Sequence, residues 1–359
     1  MSSIYIIAKD LGVSPMTVSN AMNYRKGVGA KTAERIREYA QKIGYRPSHM
    51  ARVLSNGKTR TIGLCLRNSP KNPWLSGILD ELNQAVRQAG YTLNIMLTNG
   101  ELPQIREALQ QLAEHRVEAT IIGPLGYTQE YMELATDLAQ LPNVLAFEAV
   151  DNLPIDHCMN DVYQGGMLAM QHLMQLGHQH IGYIGAQEME VNIPGVRNRY
   201  AAYRDALAYQ NLPFEPDWLI TDEQCCLGWN DDRIDNLVEM LTRLREQKKW
   251  PTAWFCHNDW GAAQMIQALN EMGLAVPGDV SLVGFDNQMV GHVTMPKITT
   301  VGFDLKTYVD QIIRLVLNRL NEKSSDTQTD TSAVMQRSVT EPTLMVRQST
   351  GPVCYSKQQ

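Results

Sequence analysis

The sequence predicts a small all-α head followed by an α/β body built as two doubly wound parallel sheets. Three observations carry this reading. Over the first 45 residues apolar positions recur with a helical period. From Thr61 onward, short β-rich apolar runs alternate with helical stretches, the pattern of parallel sheets covered on both faces. The charge divides at the same place. Met1–Arg60 holds eleven Lys and Arg against three Asp and Glu, a net +8, whereas the whole chain carries −6, which leaves −14 on the body. A chain of 359 residues exceeds one compact core. A basic head on an acidic body implies a polyanionic partner for the head alone.

In the head, Ile4, Ile7, Ala8 and Leu11 share one helical face, and Gly12 stops that helix. Ser14 is a good N-cap, with Pro15 at the first helical position, where a missing N–H costs nothing. Val18, Ala21 and Met22 form the apolar side of a second helix, and Ala33, Ile36, Ala40 and Ile43 that of a third. Two short helices around a tight turn, braced by a third, make a helix-turn-helix over residues 1–45. The second helix, SPMTVSNAMN, lacks Lys, Glu, Arg and Gln. Its outer face is Met16, Ser19, Asn20 and Asn23, small enough to approach the floor of a DNA major groove. Asn can bind adenine through two hydrogen bonds, and the methyl of Thr17 can meet a thymine methyl. The expected contacts are therefore Pro15, Met16, Thr17, Ser19, Asn20 and Asn23, with Lys26, Lys31 and Arg35 on phosphates.

Residues 46–60 read as a hinge. Pro47 and Gly57 bracket a helical piece of under three turns, too short to be helical alone. Ala51, Arg52 and Leu54 are its candidate DNA contacts, with Leu54 as a wedge into a minor groove.

In the body, strands are expected at Thr61–Leu66, Thr92–Leu97, Thr120–Ile122, Val144–Phe147, His180–Ile184, Ala253–Cys256 and Val280–Phe285. Ligands in such folds sit beyond the carboxyl ends of strands, which draws attention to Trp74, Glu148, Asn258, Asp259 and Asp286. Catalytic signatures do not emerge. GPLG and GYIG lack dinucleotide-loop spacing, there is no phosphate loop or serine elbow, and His178 and His180 lie two apart. The six cysteines contain no C-x-x-C, so reduced thiols in a cytoplasmic protein are expected, with no metal and no cofactor. No run of 18 apolar residues exists, so neither secretion nor membrane insertion is expected.

Taken in order, VSPMTVSNAMN, IGYRPSHMARVLSNGKTRTIGL, YQGGMLAMQHLMQLGHQHIGYIG, PTAWFCHNDWGAAQMIQAL, GLAVPGDVSLVGFDN, PKITTVGFDL and EPTLMVRQST resemble the lactose/galactose repressor family of bacterial transcription regulators over nearly the whole chain. The resemblance implies a homodimer that binds a palindromic double-stranded DNA operator. It also implies a body of periplasmic-binding-protein type, residues 61–350, with a small effector in the cleft between two subdomains. The chain would cross three times, giving an N-subdomain of about 61–160 plus 291–322, a C-subdomain of about 161–290 plus 323–350, and a tail at 351–359. By position, Arg199, Asn258 and Asp286 match the family's effector contacts, with Glu148, Trp74 and Leu75 lining the cleft.

Departures accompany the match: Asn20 replaces an Arg, Gly29 replaces a capping Ser, and Asn287 replaces a second acid. An Arg, an acid, an Asn and an indole suit a sugar, although a nucleobase would also fit. Alternatively, Arg199 and Asp286 pair with each other across the cleft. A stand-alone binding protein would have the same body but no basic head. An enzyme would need a catalytic cluster at the strand ends.

Overall fold

The computed structural model describes residues 4–24, 26–45, 58–67, 73–123, 133–147, 155–185, 194–220, 234–247, 250–322 and 335–353. Two compact units result, residues 1–59 and 60–359.

The head is three helices, α1 (Ile4–Leu11), α2 (Pro15–Met22) and α3 (Ala30–Lys42). Ser14 caps α2, its Oγ accepting from Thr17 N at 3.1 Å, and Pro15 follows at the first position. Gly12 makes the turn at φ +66°, a left-handed value that suits glycine. Ile7, Ala8, Val18, Ala21, Ala33, Ile36 and Ala40 close the core. Gly29 caps α3 without a side-chain bond. The expected hinge contacts Ala51, Arg52 and Leu54 lie outside the described residues.

The body opens with β1 (Thr61–Arg67), α4 (Pro73–Gln88), β2 (Thr92–Thr98), α5 (Leu102–Glu114), β3 (Ala119–Ile122), α6 (Ala135–Ala139), β4 (Val144–Ala146) and β5 (Asp156–Asn160). It continues with α7 (Val162–Gln175), β6 (Ile181–Ile184), α8 (Pro194–Tyr209), β7 (Leu219–Ile220), α9 (Ile234–Glu246), β8 (Ala253–Cys256), α10 (Asp259–Glu271), β9 (Ser281–Phe285) and α11 (Val290–Val293). Last come β10 (Thr299–Gly302), α12 (Leu305–Glu322), β11 (Arg337–Thr340) and β12 (Thr343–Met345). The first sheet is ordered β11-β5-β4-β3-β1-β2 and is wholly parallel. The second is ordered β12-β10-β9-β8-β6-β7 and is parallel except for β12, which runs antiparallel to β10.

Alternation of side chains feeds a core on each face of each sheet. In β8, Trp254 and Cys256 join the core under α9 and α10, while Ala253 and Phe255 join that under α7 and α8. Gly182 on β6 leaves room for the Trp254 indole, since a Cβ there would stand 2.5 Å from the ring. In β1, Ile62, Leu64 and Leu66 face α4 and α12, and Cys65 faces α5.

The chain crossings differ from those expected. Of residues 291–322 only α12 returns to the first sheet, because Thr299–Gly302 pairs with β9 in the second. Of residues 323–350, β11 belongs to the first sheet and β12 to the second. Arg319 holds α12 to β5 with Nε and Nη2 on Asp156 at 2.6 and 2.8 Å. Gln336 N donates to the same carboxylate at 2.8 Å, delivering β11 to its place. Nor are residues 351–353 a loose tail: Val353 N donates to Leu176 O at 3.0 Å, and His178 Nε2 meets Gly351 O at 3.0 Å. Among the described residues no helix is long and apolar enough to cross a membrane.

Candidate functional site

In the head, Val18 and Ala21 face the core, so Met16, Ser19 and Asn20 stand on the outer side of α2. Met16 is 68% exposed. Two expected contacts are instead engaged with their own helix. The Thr17 hydroxyl lies 2.8 Å from Ser14 Oγ, and Asn23 Nδ2 donates to Ser19 O at 2.9 Å. Pro15 is half-buried at the helix start. Lys26 and Lys31 are exposed, while Arg35 Nη2 donates to Leu11 O at 2.9 Å and braces the first turn.

In the second sheet, strand order reverses between β6 and β8, which opens a crevice beyond their carboxyl ends. Gly185, His257 and Asp286 each follow a strand there. Arg199 reaches in from α8. Its Nε donates to Gly195 O at 3.3 Å, its Nη1 to His257 O, and its guanidinium lies 4.6 Å over the Phe285 ring. Nη1 stands 3.6 Å from Asp286 Oδ2, with the two side chains 12% and 14% exposed. That separation is an ion pair without a hydrogen bond. The expected alternative of a pair across the cleft therefore takes a different form: both partners belong to the lobe of the second sheet.

Asp286 adopts φ +84°, and its N–H donates to Val301 O at 2.7 Å, so the backbone is held to β10 while the carboxyl turns toward Arg199. Burial pushes this carboxyl above the ordinary carboxylate range, against the pull of Arg199. Gln288 supports the turn, its N–H donating to Asp259 Oδ2 at 2.5 Å and its Nε2 to Asp286 Oδ2 at 3.5 Å. Asp259 is fully buried, and burial raises its carboxyl to about 7.

Asn258 caps α10, with Oδ1 accepting from Gly261 N at 2.8 Å. This fixes the amide orientation, so Nδ2 is the atom 3.0 Å from His257 Nε2 and must donate to it. Nε2 is then an acceptor, and the ring proton resides on Nδ1. Nδ1 is buried beside the Ile184 carbonyl, without a well-formed hydrogen bond. Burial and the adjacent Arg199 press the ring toward neutrality, to about 3.

The structure thus brings Arg199, Asn258 and Asp286 together. Leu75, expected at the effector, is instead 6% exposed within the core under α4 and α12. The side chains of Trp74 and Glu148 lie outside the described residues. Sequence reasoning missed His257, Phe285 and Gln288. Their neighbourhood to GFDN and HND was the available signal.

The arrangement offers fixed donors, one carboxylate and a neutral imidazole, groups that hold a polar small molecule. Two family models match the chain: bacterial regulatory proteins, lacI family, over residues 3–48, and the periplasmic binding protein-like domain over residues 170–350, half of the sequence. The chain belongs to the periplasmic binding protein-like family and carries at its head the domain of bacterial regulatory proteins of the lacI family. It is 29% identical over 326 residues to the HTH-type transcriptional repressor PurR of Pasteurella multocida, covering 91% of this chain and 94% of that protein. Its fold is that of the lac repressor dimer solved bound to operator and the anti-inducer ONPF, with 23% identity, 98% and 99% of the two chains covered, and a TM-score of 0.79. It is also that of a periplasmic binding protein/LacI transcriptional regulator from Alkaliphilus metalliredigens complexed with D-xylulofuranose, with 23% identity, 81% and 99% covered, and a TM-score of 0.62. The head is thus of the type found in lacI-family regulatory proteins and the body of the periplasmic binding protein-like type, and the relatives it resembles are transcriptional regulators.

Proposed function

We propose that the chain is a homodimeric repressor of a palindromic operator whose DNA affinity is set by a sugar or sugar derivative held by Arg199 and Asp286. The Arg199–Asp286 geometry carries the reading. At 3.6 Å the two groups attract without hydrogen-bonding each other, so each keeps directional capacity for a ligand. A planar guanidinium beside a carboxylate can take two neighbouring hydroxyls, one as acceptor and one as donor. The neighbour complexed with D-xylulofuranose shows a fold of this kind accommodating such a molecule. A nitrogen heterocycle is the second reading, favoured by the neutral imidazole of His257 and the Asn258 amide beside Arg199, a set that suits ring donors and acceptors.

In the dimer, two reading helices enter major grooves about one turn, ~34 Å, apart or a multiple of it. The ligand acts through its differential affinity for the two arrangements, a coupling of roughly 1–3 kcal/mol, or about 5- to 150-fold in operator affinity. The test is selection of bound duplexes from a random library, followed by titration of the best duplex across panels of sugars and nucleobases. A sugar that shifts operator affinity supports the reading. A shift by a nucleobase alone supports the second one.

A further inference from the structure

Tyr24 follows Asn23, the C-cap of α2, and is held at φ +54°, a left-handed conformation that a bulky side chain enters at a cost. A glycine would serve the turn more cheaply. Packing does not explain the tyrosine either, since it is 80% exposed. A second observation concerns Arg37 on α3. Its guanidinium stacks on the Tyr24 ring, with Cζ 4.8 Å from the centroid, and Nη1 donates to Ala21 O at 3.3 Å. The half-buried Arg37 is therefore oriented from two sides, by a carbonyl of the last turn of α2 and by an exposed ring.

We propose that Tyr24 and Arg37 together form a contact for a DNA backbone phosphate at the C-terminal end of the reading helix. This assignment rests on the DNA-binding reading of the head. The carboxyl end of a helix repels phosphate, because its last carbonyls carry partial negative charge. Arg37 supplies the compensating charge at Ala21 O. A guanidinium held over an aromatic face still turns N–H groups outward, where phosphate oxygens can be bound. The Tyr24 hydroxyl adds a donor at the rim. Lys26, exposed two residues further on, extends the same positive border. The strained tyrosine is thus retained for its position beside the duplex, and its ring holds the arginine ready.

The experiment measures affinity of the full chain for a 20-base-pair duplex of random sequence as a function of potassium chloride, together with thermal unfolding. Tyr24→Gly keeps the left-handed backbone and removes ring and hydroxyl. It is expected to weaken binding about tenfold, with no change in the salt slope and no loss of Tm. Arg37→Ala is expected to lower the slope by about one counterion. Arg37→Lys is expected to keep the slope and still bind more weakly, since an ammonium cannot stack and fork at once. Wild-type affinity in Tyr24→Gly would overturn the proposal. So would losses in affinity that merely track losses in Tm across Tyr24→Gly, Tyr24→Phe and Arg37→Lys. Absence of duplex binding by the wild type would instead remove the DNA-binding reading on which the assignment stands.

Discussion

Arg199 Nη1 lies 3.6 Å from Asp286 Oδ2, and both side chains rise from the lobe of the second sheet. Because Arg199 also donates to Gly195 O and His257 O, it does not depend on Asp286 for its place. Asp286→Ala is therefore expected to abolish the ligand response while leaving ligand-free operator binding near wild type. Its thermal stability should fall by roughly 1–2 kcal/mol, less than for a fully enclosed pair. Operator titrations with and without ligand measure the first effect, and calorimetry the second. Loss of ligand-free DNA binding would make the pair purely structural.

Asp259 gives the second lobe a pH dependence of unusual sign. Its carboxyl is raised by burial and by Asp286, and lowered by Thr300, by the N–H of Gln288 and by Arg347, with a net result of about 7. The folded protein holds this proton more tightly than the unfolded chain does. The stabilisation is complete below the unfolded value of 3.8 and is lost as pH rises through about 7. Relative to Asp259→Asn, the wild type is expected to lose on the order of a few kcal/mol between those limits. Parallel Tm-versus-pH curves for the two proteins would refute it.

His257 should show the neutral Nδ1–H tautomer in nitrogen-15 spectra throughout the range in which an ordinary histidine titrates. The Asn258 amide fixes the tautomer, and burial beside Arg199 suppresses the imidazolium. An imidazolium signal near neutrality would show the network to be misassigned.

On the reading helix, Asn20→Ala is expected to cost ~1–3 kcal/mol on the selected operator and to relax preference at one position per half-site. Lys26→Ala should weaken all duplexes alike and flatten the salt dependence by about one counterion. If Asn20→Ala also weakens every duplex equally, Asn20 touches phosphate rather than a base.

Gly182→Ala tests the second core. A Cβ at that position meets three atoms of the Trp254 ring at 2.5 to 2.8 Å. Overpacking of this kind costs about 1–3 kcal/mol, to be read as a lowered Tm with head-only properties unchanged. A Tm equal to wild type would mean that the indole moves aside freely.

The sequence exposed β1, β8 and β9 because strands buried on both faces are continuous apolar runs, as in AWFC and SLVGF. It hid β11, whose RSVT is polar and lies at a sheet edge, and β10, whose TTVG is too short to show a period. Leu75 was misplaced for a different reason: helix α4 turns one face to the core, and family position alone does not say which residues lie on it. Arg35 and Arg37 sit two apart on α3 and look alike in sequence, yet one braces Leu11 O and the other stacks on Tyr24. His257 could not be recognised from its type, since its donor exists only because Gly261 N–H has claimed the Asn258 oxygen.

The placement of β11 at the edge of the first sheet has a consequence for how the protein is made. The head is continuous in sequence and can fold as soon as it leaves the ribosome. The first sheet cannot be completed until residues 337–340 have been translated. At typical synthesis rates that interval is roughly 15–60 s. Throughout it, a finished helix-turn-helix head is tethered to an unfinished body. A nascent chain broken off before Arg337 would leave the first lobe short of its edge strand and the second short of β12, so both lobes reach completion only at the end of synthesis.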